Sequence, residues 1–146
     1  MSANHTNHTP AFVGFALGDR VIFNFVEREG SFGYTGMSII HSLKRNRNKF
    51  IAKIFQSQSY DTIKELFDDK LVFGKFNNTE NLNIDSFQRV YDMMVNNDGY
   101  FYIYNITEDI LIVKTPEIKE PVGLNYRNSS DIRTFINKLK TGGYNG

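Results

Sequence analysis

The sequence predicts an α+β fold: a single compact domain built on a mainly antiparallel sheet. Three observations predict it. Two pairs of stretches rich in aromatic and β-branched residues flank short turn-forming sequences, and helical apolar spacing follows each pair. No apolar run approaches the roughly 20 residues of a membrane-spanning helix. At 146 residues the chain can bury one real core but is short for two. The expected organisation is a flexible N-terminal arm over 1–10 and one domain over 11–146. Two β-hairpins (about 11–29 and 100–115) pack with three to four helices.

Residues 1–10 repeat Asn-His-Thr twice and hold no apolar anchor beyond Met1, which is the composition of an arm. The first hairpin pairs 11–17 with 20–29 about Gly18-Asp19, where glycine supplies the positive φ that a two-residue turn requires. Gly30, Gly33 and Gly36 follow, then Ile39, Ile40 and Leu43 at helical spacing. Asn46 and Arg47 fall where that spacing calls for apolar residues, so a break is expected at 45–48, before Phe50, Ile51, Ile54 and Phe55. Asp61 has the chemistry of an N-cap, with Ile63, Leu66 and Phe67 on one helical face, and 71–76 (LVFGKF) reads as a strand.

Asp85 or Ser86 caps a clearer helix through Phe87, Val90, Tyr91 and Met94. The second hairpin joins 100–105 to 110–115 through Ile106-Thr107-Glu108-Asp109. Pro116 and Pro121 bound a short extended piece. A last helix is capped by Asn128, Ser129 or Ser130, carries Ile132, Phe135, Ile136 and Leu139, and ends at Gly142-Gly143.

Charge gives the best functional clue. The net charge of +1 hides an uneven distribution. Segment 30–60 has no acid and five bases, whereas 61–120 carries twelve acids against six bases, and the last 26 residues carry +3. A basic block of this kind points to an anionic partner, because Lys and Arg that neutralise phosphates release condensed counterions. The candidate nucleic-acid or anion site is Lys44, Arg45, Arg47, Lys49 and Lys53, with Phe32 and Tyr34 as rings on which bases could stack. The glycines ahead of the Ile39 helix could expose backbone N–H groups to a phosphate, but their spacing fits no known phosphate loop. The competing reading is a solvated helix face, or a basic segment paired internally with Asp68, Asp69 or Asp92.

Catalytic sets are thin. There is no cysteine, which removes thiol nucleophiles, disulfides and thiolate-bound metals. His5 and His8 lie in the arm and His41 stands alone. Glu108, Asp109, Glu117 and Lys119 form the one acid–lysine set with a chemical rationale. Two carboxylates on Mg²⁺ and a lysine steadying the attacking water is metal-nuclease chemistry, although Pro116 breaks the strand just before Glu117. Neither a cofactor nor a metal is expected.

The first functional expectation is therefore a small non-enzymatic accessory or structural protein that binds a macromolecular partner, or itself, through charged faces or the sheet edges. The alternative is a nucleic-acid or phosphate binder using 41–53, and a metal-dependent nuclease is the distant third. MSANHTNHTP lacks the basic start and apolar core of a signal peptide, so a cytoplasmic location is expected. Sixteen asparagines, with abundant Ile and Lys, are what an AT-rich coding sequence yields, in keeping with a viral or phage source.

Overall fold

The computed structural model describes residues 9–45 and 83–142. The expected arm (save Thr9 and Pro10), the break after Arg45, the helix after Asp61 and the strand at 71–76 lie outside the described residues. Strands β1 (Ala11–Leu17) and β2 (Arg20–Val26) form the first hairpin, turning at Gly18 with φ of 63°. One wide π-type turn, Phe32–Gly36, leads into a helix over 37–45, here α1. β3 (Asn83–Ser86) runs directly into α2 (Phe87–Asn96). β4 (Phe101–Asn105) and β5 (Ile110–Lys114) make the second hairpin, and β6 (Val122–Leu124) precedes α3 (Ser129–Thr141).

The helix ends form for local reasons the sequence carries. The Ser86 hydroxyl accepts from the Arg89 N–H at 3.2 Å, and Asn128 Oδ1 accepts from the N–H groups of Ser130 and Asp131. Gly142 stops α3 with a φ of 72°.

The strands make one sheet in the order β3-β2-β1-β4-β5-β6. Four pairings are antiparallel, but the central one, β1 with β4, is parallel, with Phe12 opposite Phe101. The sheet is therefore mixed. A parallel neighbour needs a crossover, and β3–α2–β4 supplies it. The sequence hides this because Asn83–Ser86 has a single apolar residue, Ile84, and shares its last residue with the helix cap. The extended piece expected between Pro116 and Pro121 is instead a run of turns, and the short strand follows Pro121.

Alternation along the strands gives the sheet two cores. Val13, Phe15, Ile22, Tyr102, Tyr104, Leu111 and Val113 face α1 and α3, meeting Ile40, Leu43, Ile132 and Phe135. Phe12, Ala16, Val21, Phe101 and Ile103 face α2, meeting Val90 and Met94. Thus α1 and α3 share one face, and α2 covers part of the other. Gly30 marks a close approach: its N–H donates to the Thr9 carbonyl, and a Cβ there would lie 2.6 Å from the Pro10 oxygen.

Candidate functional site

The helices α1 and α3 carry five of the eleven described lysines and arginines. On α1, Ser38, His41, Lys44 and Arg45 are exposed, whereas Ile39, Ile40 and Leu43 are buried, so the helix presents a polar stripe away from the sheet. Tyr34, in the turn that opens the helix, is 47 % exposed and continues the stripe. On α3, Arg133, Lys138 and Lys140 are exposed beside one acid, Asp131. Phe32 and Phe135 meet edge to face at 4.9 Å, which ties the start of α1 to α3. Five bases against one acid thus lie on these two helices; on the same side of the sheet Asp109 is met by Arg127. On the other side, α2 and its flanks carry Asp85, Asp92 and Asp98 against Arg89. Among the described residues no carboxylate pairs with Lys44 or Arg45.

Of the residues the sequence nominates, Lys44, Arg45 and Tyr34 fall on this surface. Phe32 does not: it is 4 % exposed and packs between Tyr102 and Phe135, so its ring is core and not a stacking platform. Its place next to three glycines and an exposed tyrosine suggested exposure. The π turn reverses that by pointing position 32 inward and position 34 outward. Arg47, Lys49 and Lys53 lie outside the described residues, as do Asp68 and Asp69; Asp92 is held by Gln88.

The glycine stretch makes no phosphate cradle. The Tyr34 N–H donates to the Ser31 carbonyl and the Thr35 N–H to those of Ser31 and Glu29, so both amides are used internally. The Thr35 hydroxyl adds a 2.6 Å bond to the same Glu29 oxygen, at a residue whose φ is 54°.

The described fold does not bring Asp109 and Glu117 together. They flank the two ends of β5, and Asp109 is committed elsewhere. Its Oδ1 accepts 2.6 Å bonds from the hydroxyls of both Tyr104 and Tyr126, and its Oδ2 accepts from the Arg127 guanidinium. That guanidinium also lies 4.9 Å from the centre of the Tyr126 ring. Asp109 sits at φ 57° at the end of the hairpin loop, a conformation Asp tolerates better than most residues. Burial, and then the bonds to Asp109 and Tyr104, push the Tyr126 hydroxyl above its ordinary pKa. The cluster is a knot binding the β6–α3 connection to the second hairpin. Among the described residues, no group of three His, Asp or Glu side chains could hold a metal ion.

A second surface was not legible in the sequence. Register places Phe25, Phe12, Phe101 and Lys114 in one row across four strands on the α2 side of the sheet. Where α2 ends, the three phenylalanines of this row, together with Pro10, Met93, Asn97, Asp98 and Tyr100, line an open groove of about 390 Å³. Phe25 stands 54 % exposed at its edge.

Comparison with protein families, with curated proteins and with solved structures finds no match.

Proposed function

We propose that the protein is a small non-enzymatic binding module that engages nucleic acid through the basic layer of α1 and α3. The observation that carries this reading is the charge of two neighbouring helices: α1 and α3 carry five bases and one acid, with an exposed tyrosine at the head of the α1 stripe. A field of one sign concentrates a polyanion by long-range attraction, and lysine or arginine contacts to phosphates then supply salt-dependent affinity. Tyr34 adds a π-face for a base, which favours single strands, whose bases are free to stack. Asp109, an acid of the nuclease reading, is engaged by Tyr104, Tyr126 and Arg127.

A second reading, docking of a protein or another copy along the sheet edge, draws on Ile84. It is 50 % exposed on β3, an outer strand of the described sheet.

Fluorescence anisotropy with short single- and double-stranded oligonucleotides at several salt concentrations separates the readings. Affinity is expected to fall steeply with salt, and the log–log salt slope to drop by about one for each of Lys44→Ala, Arg45→Ala and Arg133→Ala. Tyr34→Ala should cost about 1–3 kcal/mol on single strands and far less on duplex. A flat wild-type titration at low salt overturns the nucleic-acid reading and leaves the edge.

A further inference from the structure

The groove where α2 ends is apolar with one exception. Among the described residues that line it, Asp98 alone is charged, in the company of Phe12, Phe25, Phe101, Met93 and Pro10. Asp98 is exposed just past the end of α2, and no described residue forms an ion pair with its carboxylate. The Lys114 ammonium donates to the neighbouring Asn97 carbonyl at 3.0 Å, but it is buried and makes no ion pair with Asp98. A second negative element lies beside the carboxylate. Met93 in the last turn of α2 and Asn97 at its cap both line the groove, and that turn contains no base. The carbonyl end of a helix favours positive charge.

The rings suit the same charge. Phe25, Phe12 and Phe101 lie side by side on β2, β1 and β4. Phe25 and Phe12 are perpendicular with centroids 5.6 Å apart, and Phe12 and Phe101 are tilted by 38° at 5.5 Å. Rings set at such angles make a corner and not a flat wall, and the electron-rich face of a phenyl ring attracts a cation. A bare metal ion does not fit, because it needs several oxygen ligands and finds one carboxylate over an apolar floor. A cation that carries its own hydrocarbon gains from both parts, and a mainly apolar cleft of this volume with one polar group is the usual form of a small-ligand site. We propose that the groove binds an organic ammonium, with its hydrocarbon part on the phenylalanines and its charged nitrogen beside Asp98. This site lies on the opposite side of the sheet from α1 and α3 and takes a ligand of opposite sign, so it stands or falls independently of nucleic-acid binding.

The test uses benzylammonium, benzyl alcohol and benzoate, which share a ring and differ in charge. Each is titrated at neutral pH into the full chain and followed by the amide NMR shifts of Asp98, Gly99 and Phe101. Benzylammonium is expected to bind about tenfold tighter than the alcohol, from one carboxylate contact and one ring-face contact, with benzoate the weakest. Asp98→Asn, at an exposed position outside the helix, should cut that ratio to about threefold and let benzoate gain. Phe25→Leu keeps an apolar surface but removes a π-face, so it should weaken benzylammonium more than benzyl alcohol. The same spectra report whether each variant is folded. No binding of benzylammonium, affinity no better than that of the alcohol, a ratio unchanged in Asp98→Asn, or shifts confined to residues away from the groove would each overturn the assignment.

Discussion

The two faces of the sheet are built from the same strands and finished differently. β4 shows this within five residues. Phe101 and Ile103 point toward α2, whereas Tyr102 and Tyr104 point toward α1 and α3. Both β4 tyrosine hydroxyls are matched: Tyr102 donates to the Gly30 carbonyl at 2.7 Å, and Tyr104 donates to Asp109. Hydroxyls that must find partners fix the loops that supply them, so this face pins Gly30, the second hairpin turn and the β6–α3 connection. The phenylalanine face has one such obligation, the Lys114 ammonium that donates to the Asn97 carbonyl. Elsewhere it gains by burial, and where α2 ends it borders the groove. The lesson is that polar atoms in a core specify where loops go, while a run of phenylalanines tolerates a gap.

The largest test of this contrast lies within the phenylalanine row. Phe12 stacks on Phe23 at 4.3 Å and touches Phe25 and Phe101, so Phe12→Ala should cost about 4 kcal/mol by urea unfolding. Phe25→Ala, on the same row but half exposed, should cost under about 1 kcal/mol. Similar losses at both positions would mean that the groove is closed.

On the tyrosine face, Asp109→Ala removes one acceptor shared by two buried hydroxyls and a guanidinium, with an expected loss of about 3 kcal/mol. Asp109→Asn keeps an acceptor oxygen and the tolerance for positive φ, so it should lose markedly less. A loss no larger for Ala than for Asn would show that the knot is ornamental.

The smallest effect concerns pH. Burial first, then the neighbouring Tyr100 and Glu117, raise the Tyr102 hydroxyl, and Tyr126 is raised in the same direction. A group raised in the folded state contributes stability that is intact below its unfolded pKa, near 10, and is lost as pH rises beyond it. Each such tyrosine should therefore weaken the fold by about 1.4 kcal/mol per pH unit above roughly 10. Melting temperatures between pH 8 and 11, read with tyrosinate absorbance, check this. Ionisation without loss of stability would show these hydroxyls to be solvated.

How far the sequence foretold all this depends on whether a signal is local. The hairpin turn at Gly18, the caps at Ser86 and Asn128 and the stop at Gly142 are decided by neighbouring residues, and all were legible. The parallel seam was not, because β3, which starts the crossover to β4, is four residues long with one apolar residue and does not announce a strand. Lys44, Arg45 and Tyr34 could be placed on a surface from charge and spacing alone. Phe32 could not, since a π turn and an α turn send position 32 in different directions. That Arg133 and Lys140 would join the same surface depended on α3 docking beside α1. The row from Phe25 to Lys114 depends on the register of four strands, and nothing in Ile-Leu-Ile-Val-Lys hints that its lysine is covered.

The parallel seam also bears on how the chain reaches this structure. Each hairpin closes a local loop, an event of about 1–10 microseconds for an isolated ribbon. The seam joins Phe12 to Phe101 and must bring distant parts of the chain together, so the entropy of closing that span is met before its contacts reward it. The two strands at the centre of the sheet are thus expected to marry last. Substitutions in the hairpin turns should slow folding, whereas those along β1 and β4 that face one another should chiefly hasten unfolding.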